Sequence, residues 1–571
     1  MANALDALRC DVLVLGSGGA GLMAALHAYD ANPALKIVVV AKGLIGKSGC
    51  TRLVQGGFNA ALDPRDSVER HFSDTVKGGQ FLNNQELAWA LASDAPAIIR
   101  KLETKIGCFF DRREDGTIHQ KAFAGQTFDR TVHRGDQTGI EIVNRLHDQL
   151  FARRIALLDE TRAVDLIHDA ADGTQIAGAL LLHQRTGEFT LAHARVTILA
   201  TGGGPRMYTY SAPSLEKVGD GYAMAYRAGC ELIDMEMMQF HPTGILAGAS
   251  RLSGMVLEEG LRGAGAWLLN GRGERFMERY DPARMERSTR DVVARASYIE
   301  IMAGRASPQG GVFLDASHLG AEFVAKTFPG MVRRCAEVGY DLTRGPVEVT
   351  PTAHFHMGGV RIDDAARCGL AGLLVAGEDA GGIHGANRLG GNGVADSCVF
   401  GARAGVTAAA LCDELKPKQP DIAQANEVKT AALAPLEREN GESPFAIRDL
   451  IAQIMWEGVG LVREDRGLQH ALERLEALED RIAAIAVSPG RRWNLPWQQA
   501  LDVRNLHIVA QLTARAALAR TESRGSHARS DFPGRDDAHW LANVAQQAGH
   551  PIKLTPIAMT RVQPPAVAMT G

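Results

Sequence analysis

The sequence predicts an α/β protein, a nucleotide-type parallel sheet interrupted by a long insert and followed by a helical region. Three observations predict it. Short apolar runs at Asp11–Leu15, Val196–Ala200 and Leu373–Ala376 lie just before glycine, as buried parallel strands do. The first run opens a strand–turn–helix–strand series within about 30 residues, the span of one βαβ unit. Past residue 405, apolar residues recur at helical spacing.

Composition narrows the class. A chain of 571 residues exceeds one hydrophobic core, so two to four domains are expected. Its 62 glycines form scattered clusters with no G-X-Y period, which excludes collagen and points to backbone lying close to a ligand. Apolar residues at 46% and charged residues at 22% exclude a disordered chain. A net charge of −4 supplies no basic field, so no nucleic-acid partner is expected. No run approaches the roughly 18 apolar residues of a membrane helix, and Met1–Asp11 lacks a signal-peptide pattern. Direct membrane insertion is therefore not expected. The eight cysteines contain no C-x-x-C, which excludes the usual iron–sulfur and zinc spacings and suits a reducing, cytoplasmic setting.

The elements follow in order. DVLVL at 11–15 reads as a strand, Gly16-Ser-Gly18-Gly-Ala-Gly21 as the turn, LMAALHAY as a helix and KIVVV at 36–40 as the second strand. In that context G-x-G-x-x-G signals dinucleotide binding. Gly16 permits the tight turn, Gly18 lets a pyrophosphate approach the backbone, and Gly21 lets helix and strand pack closely. The acid expected after the second strand is absent, since Ala41-Lys42 stands there. GALLL at 178–182, VTILA at 196–200 and LLVA at 373–376 are further strands. Leu468, Leu472, Leu475, Leu478, Ile482 and Ile485 form one amphipathic stripe, and Leu501, Leu506, Val509, Leu512 and Ala516 a second. Boundaries are placed at 1–240 and 351–410 for the nucleotide domain, 241–350 for the insert and 411–571 for the helical domain.

At ten places in order the chain resembles the flavoprotein subunits of succinate dehydrogenase and fumarate reductase, with L-aspartate oxidase a close relative. The segments are GSGGAG (16–21), QGGFNAAL (55–62), ATGGG (200–204), GDGYAMAYRAG (219–229) and DMEMMQFHPTG (234–244). EEGLRGAGAWLLNGRGERFMERY (258–280), TRDVVARA (289–296), PTAHFHMGG (351–359), AGEDAGGIHGANRLGGN (376–392) and ESRGSHARSDFPGRDD (522–537) complete the set. The resemblance implies a Rossmann-like FAD-binding domain with an inserted α+β capping domain and a C-terminal helical domain. It assigns FAD contacts to Gly16, Gly18, Gly21, Lys42, Gly56, Gly57, Asp220, Glu378 and Asn392, with Asp220 supplying the missing ribose-side acid. Family members with covalent flavin carry a histidine five residues before Q-G-G. Cys50 stands there, so FAD is expected to be non-covalent, with a lower reduction potential that disfavours succinate oxidation.

The shared reaction moves a hydride between flavin N5 and one carbon of a small carboxylate's Cα–Cβ unit, while a proton moves at the other. The resemblance assigns carboxylate clamping to Arg388, His241 and His354, proton transfer to Arg290, and a proton relay to Glu259 and Arg262. Two positions depart from the family. Glu258 replaces a threonine that donates to a substrate carboxylate, and an anion there repels one unless it is protonated or turned away. Asn392-Gly393-Val394-Ala395-Asp396 replaces N-S-L-L-D and loses a serine. His354 and His356 form H-x-H, but no further metal ligands lie nearby. With no electron relay in the chain, electrons are expected to pass to an iron–sulfur subunit, which could tether it to a membrane, or to oxygen. The two departures point to an altered substrate: an anion at Glu258 would suit an amine-bearing one, so with the missing histidine it favours the alternative reading, an L-aspartate oxidase-like enzyme using oxygen or fumarate as acceptor. An FAD-bearing subunit without its own substrate is a second rival.

Overall fold

The computed structural model describes residues 5–416 and 418–565. Its first strand, β1 (Asp6–Leu15), leads into α1 (Gly19–Ala31) and β2 (Ile37–Val40). The later strands β3 (Ala156–Leu158), β4 (Thr161–His168), β5 (Ile176–His183) and β6 (Glu188–Leu199) give the order β3-β2-β1-β6-β5-β4. β1 is parallel to β2 and β6, with Val14 opposite Val39 and Ile198. β4, β5 and β6 form an antiparallel meander. The 178–182 run thus belongs to an antiparallel pair, and its neighbour β4 carries no glycine stop and escaped the sequence reading.

Glycine sets how closely the layers approach. Gly16 has φ +112°, and a Cβ on Gly21 would lie 2.0 Å from the Gly16 carbonyl oxygen. α1 therefore rests directly on the turn that starts it.

The insert has its own core, from Ile245 to Val349. Its antiparallel sheet joins β7 (Met238–Ile245), β8 (Trp267–Leu269), β9 (Val312–Asp315) and β10 (Val347–His356) in the order β7-β10-β9-β8. The short helix α2 (Glu259–Gly263) and the longer α3 (Arg290–Met302) flank it. β11 (Leu373–Val375) then returns to pair with β6 in parallel. α4 (Asn392–Glu414) follows and lies along α1. Cβ atoms at Gly401 and Gly405 would come within 2.4 Å of the Ala20 and 2.3 Å of the Ala24 carbonyl oxygens. α4 is the one described helix long and apolar enough to cross a membrane, but 67% of that stretch is buried inside the protein. It is a core helix.

The C-terminal part is mainly helical, dominated by α5 (Leu495–Ala519). It is not wholly so, because Ala542–Gln546 pairs with Leu232–Ile233 and returns the chain to its N-terminal half. Short polar-edged strands of this kind carry little apolar periodicity to read.

Gly21→Ala should lower stability by roughly 1–3 kcal/mol or more, because the obstacle is backbone. Gly173→Ala is the control, with nothing within 4 Å of its Cβ. Thermal unfolding of the two variants checks the close packing, which is refuted if they melt together.

Candidate active site

Two cavities meet inside the molecule. The first, ≈ 960 Å³ and open to solvent, runs from the Gly16–Ala20 turn past Lys42, Arg162 and Asp220 to Cys50, Lys217 and Glu378. α1 starts at its wall with a glycine cap and no acid in its first turn. Thr51 Oγ1 accepts the Gly19 N–H at 3.0 Å, and the following first-turn amides and the helix dipole suit a pyrophosphate. A Cβ on Gly18 would come within 4 Å only of Thr51. This glycine-walled slot fits an FAD.

In the slot wall Lys42 Nζ bonds Asp220 at 2.8 Å and Asp502 at 3.0 Å. Arg162 reaches the same carboxylates at 3.0 and 2.7 Å, and Asn505 donates to Asp220 at 2.7 Å. Burial opposes the Asp220 charge, but Lys42 and Arg162 hold its carboxyl well below the usual range. Asp220 is therefore a tied acid in a four-charge cluster. Arg162 and Asp502 escaped the sequence reading because no local motif marks them.

The second cavity, ≈ 1040 Å³ and likewise open to solvent, is lined by Gly56, Gly57, Phe123, His241, Glu258, Glu259, Arg290, Arg334, His354, Phe355 and Arg388. Gly57 has φ +144°, and its Cβ would lie 2.2 Å from the Val132 carbonyl oxygen. The histidines enter from β7 and β10, whose register slips between Gln239 and Phe240 and between His241 and Gly244. Such bulges re-aim side chains, and here the two rings stand 5.5 Å apart. Burial first, then Arg290, pushes both well below the ordinary histidine value. They are neutral. His241 Nδ1 accepts the Thr243 N–H at 3.3 Å, which leaves Nε2–H as its donor.

Arg290 starts α3. It binds Glu259 through Nη2 at 2.6 Å and Nε at 2.7 Å, and Glu259 lies 3.9 Å from Arg262 Nη2. Burial opposes the Glu259 charge, yet the two arginines hold its carboxyl below the usual range. Arg388 lies 4.4 Å over the Phe355 ring. Burial, then Arg290, pushes Arg388 down to about 9. Gln239 ties the two together, its amide oxygen accepting from Arg290 at 3.1 Å and Arg388 at 3.0 Å. This glutamine is fully buried and was missed in the sequence because it sits beside the more conspicuous His241. His354 Nδ1 and Arg388 Nε have no partner, so the chamber wall holds buried polar groups prepared for a ligand. Arg262 does not line the chamber, and its Nη1 donates to the Glu286 carbonyl at 2.6 Å.

Two sequence expectations change. Glu258 does line the chamber, but Lys121 Nζ bonds it at 2.8 Å, so its charge is offset by a cation. Burial still raises its carboxyl above the usual range, against Lys121. The Asn392 side chain does not reach either cavity. It accepts from Asn59 at 2.7 Å, meets His71 Nε2 at 3.0 Å and donates to Thr75 at 3.0 Å. A polar pocket under the α4 N-terminus holds it, and Gly391, Gly393 and Ser397 face the chamber instead. Cys50, Thr51, Lys217, Glu378 and Ser397 line both cavities. Burial pushes the Cys50 thiol up, which makes it a weak nucleophile.

A family profile described as FAD binding domain matches residues 11–394, and one described as fumarate reductase flavoprotein C-term matches 448–568. The chain is 44% identical to one of the subunits of the fumarate reductase (CoM/CoB) of Methanothermobacter marburgensis, over 92% of this chain and 95% of that one. It is 36% identical to the succinate dehydrogenase flavoprotein subunit of Coxiella burnetii, over 97% and 98%. Among solved structures, a variant of E. coli quinol fumarate reductase FrdA superposes with a TM-score of 0.92 at 31% identity, over 98% and 99%. Mycobacterium smegmatis Sdh1 in complex with UQ1 gives 0.87 at 38%, over 97% and 95%. The chain belongs to the FAD-dependent flavoprotein family of succinate dehydrogenases and fumarate reductases.

The Glu258–Lys121 pair gives a pH-dependent prediction. A carboxyl raised in the folded state contributes stability at low pH that is lost as pH rises. Lys121→Met removes the opposing cation and raises it further. The variant should be less stable than the parent by roughly 1.5–3 kcal/mol at pH 8 and by less at pH 5. Denaturant unfolding at the two pH values checks this, and an equal deficit at both would count against the pairing.

Proposed function

We propose that this family member interconverts a saturated and an unsaturated four-carbon dicarboxylate, with fumarate reduction the favoured direction. The carrying observation is the chamber itself. Two guanidiniums held 3.1 and 3.0 Å from one glutamine oxygen face two neutral histidines, and the chamber shares a wall with the dinucleotide slot.

When bound, FAD supplies the hydride acceptor and donor. Arg388 would clamp one carboxylate in bidentate fashion, and His241 Nε2–H and His354 would donate to the other. The clamps draw charge from the double bond and orient it. Arg290 would give a proton to the carbon next to the one receiving hydride, so two electrons and two hydrogens add across the bond. Glu259 would return the proton to Arg290, and Arg262 would steady Glu259. An arginine is a weak acid in water, so this role depends on Glu259 in a dry site.

We read Gly16, Gly18, Gly21, Lys42, Asp220 and Glu378 as the FAD contacts, Gly56 and Gly57 as the backbone beside its ring, and 241–350 as the capping unit. Cys50 in place of histidine supports non-covalent FAD, which favours reduction of the substrate. Lys121 offsets the Glu258 anion, so of the two features that favour the aspartate oxidase alternative only the missing histidine stands. Relatives named as subunits support a partner that exchanges electrons. We propose an iron–sulfur subunit for it.

Anaerobic titration tests the reading. Fumarate should reoxidise the reduced flavin rapidly, and aspartate should not bleach the oxidised one; the reverse pattern sinks the proposal. Arg290→Ala should lower turnover by about 10²–10⁴-fold with FAD still bound, and near-normal turnover would remove the proton-transfer assignment. Acid precipitation should release the yellow colour, whereas colour retained on the precipitate would mean a covalent link at Cys50.

A further inference from the structure

Lys217 is a charged side chain with no role in the chemistry above. It is 5% exposed and lines both the slot and the chamber. It comes from the turn that Gly219, at φ +77°, closes before the helix Asp220–Arg227. Its ion-pair partner is Glu378, whose other oxygen accepts the His356 N–H at 2.9 Å. The ammonium lies 5.5 Å from the Phe355 ring, which also packs against Arg388. Its field reaches both sides of the shared wall: it contributes to pushing down His354 and His356 and opposes the rise of the Cys50 thiol.

We propose that Lys217 sets the reduction potential of the flavin and supplies by charge part of what a covalent histidyl link supplies in relatives. This role rests on the reading that FAD fills the slot. The FAD pyrophosphate then belongs at Gly16–Gly21, and the part exchanging hydride must face the chamber. The shared wall meets both conditions, and among the described residues Lys217 is the cation that lines both cavities. Hydride transfer brings two electrons and one proton, so a neutral ring gains one negative charge. A buried ammonium stabilises that charge more than water would, which favours the reduced form. Glu378 positions the ammonium and partly offsets it. Lys217 is therefore a positioning and tuning residue that acts through the cofactor and not on the substrate.

The test uses the full-length FAD-loaded protein. FAD content and absorbance are measured first, then the midpoint potential by dye-coupled anaerobic reduction. Lys217→Met should shift the equilibrium about tenfold toward the oxidised flavin, ~30 mV for a two-electron couple. Lys217→Arg should stay within about threefold of the parent by the same scale. Lys217→Met with Glu378→Gln should remain below the parent. If Lys217→Met fails to hold FAD, Lys217→Gln takes its place with the same expectation. An unchanged potential in the neutral variant overturns the proposal. So does full recovery in the double variant, because the drop would then come from a stranded Glu378. A parent protein that takes up no flavin overturns the underlying slot reading instead.

Discussion

The close contact of backbone at Gly16 and Gly21 is the constraint on which the rest of the structure depends. It seats α1 on the end of β1 with the helix N-terminus open to the slot. α4 in turn lies on α1 through Gly401 and Gly405. The N-terminus of α4 is thereby delivered to the wall where slot and chamber meet, bringing Gly391, Gly393 and Ser397. A larger side chain at any of these glycines would separate layers, and the error would reach the site as misplacement of both helix ends.

The second theme is the handling of like charge. Arg262, Arg290 and Arg388 are all buried within one region, which is costly unless each charge is answered. Glu259 answers two of them and Gln239 joins the third to Arg290. The histidines avoid the problem by staying neutral. What remains is a chamber with an excess of donors and partnerless nitrogens at His354 and Arg388. A dianionic ligand would satisfy them, and this gives the substrate class a physical basis separate from resemblance.

A third network fixes the strand that carries His241. Arg520, at the end of α5, bonds Asp234 at 3.2 Å, Glu236 at 2.5 Å and Glu522 at 3.1 Å. Asp234 and Glu236 immediately precede β7. The C-terminal helical part is thus locked by fully buried charge to the segment that enters the chamber. Breaking such a network is expensive because each uncompensated charge stays buried.

The βαβ start, the return strand near 373, the helical stripes and the family residues were legible in the sequence because each depends on local spacing or a contiguous motif. Gly16 and Gly21 lie against backbone and Gly18 walls the slot, and His241, His354, Arg290, Arg388, Glu258 and Glu259 line one cavity. What the sequence could not show depends on residues far apart in the chain. Lys121 reaches Glu258 across 137 positions, Asp502 reaches Lys42 across 460 and Arg162 across 340, and Asn392 turns away because Asn59, His71 and Thr75 hold it. Local sequence therefore determined the scaffold and the types of group in the site. Tertiary structure alone decided which charge faces which, because at a few ångströms in a dry interior electrostatics depends on distance and burial, and neither is written along the chain.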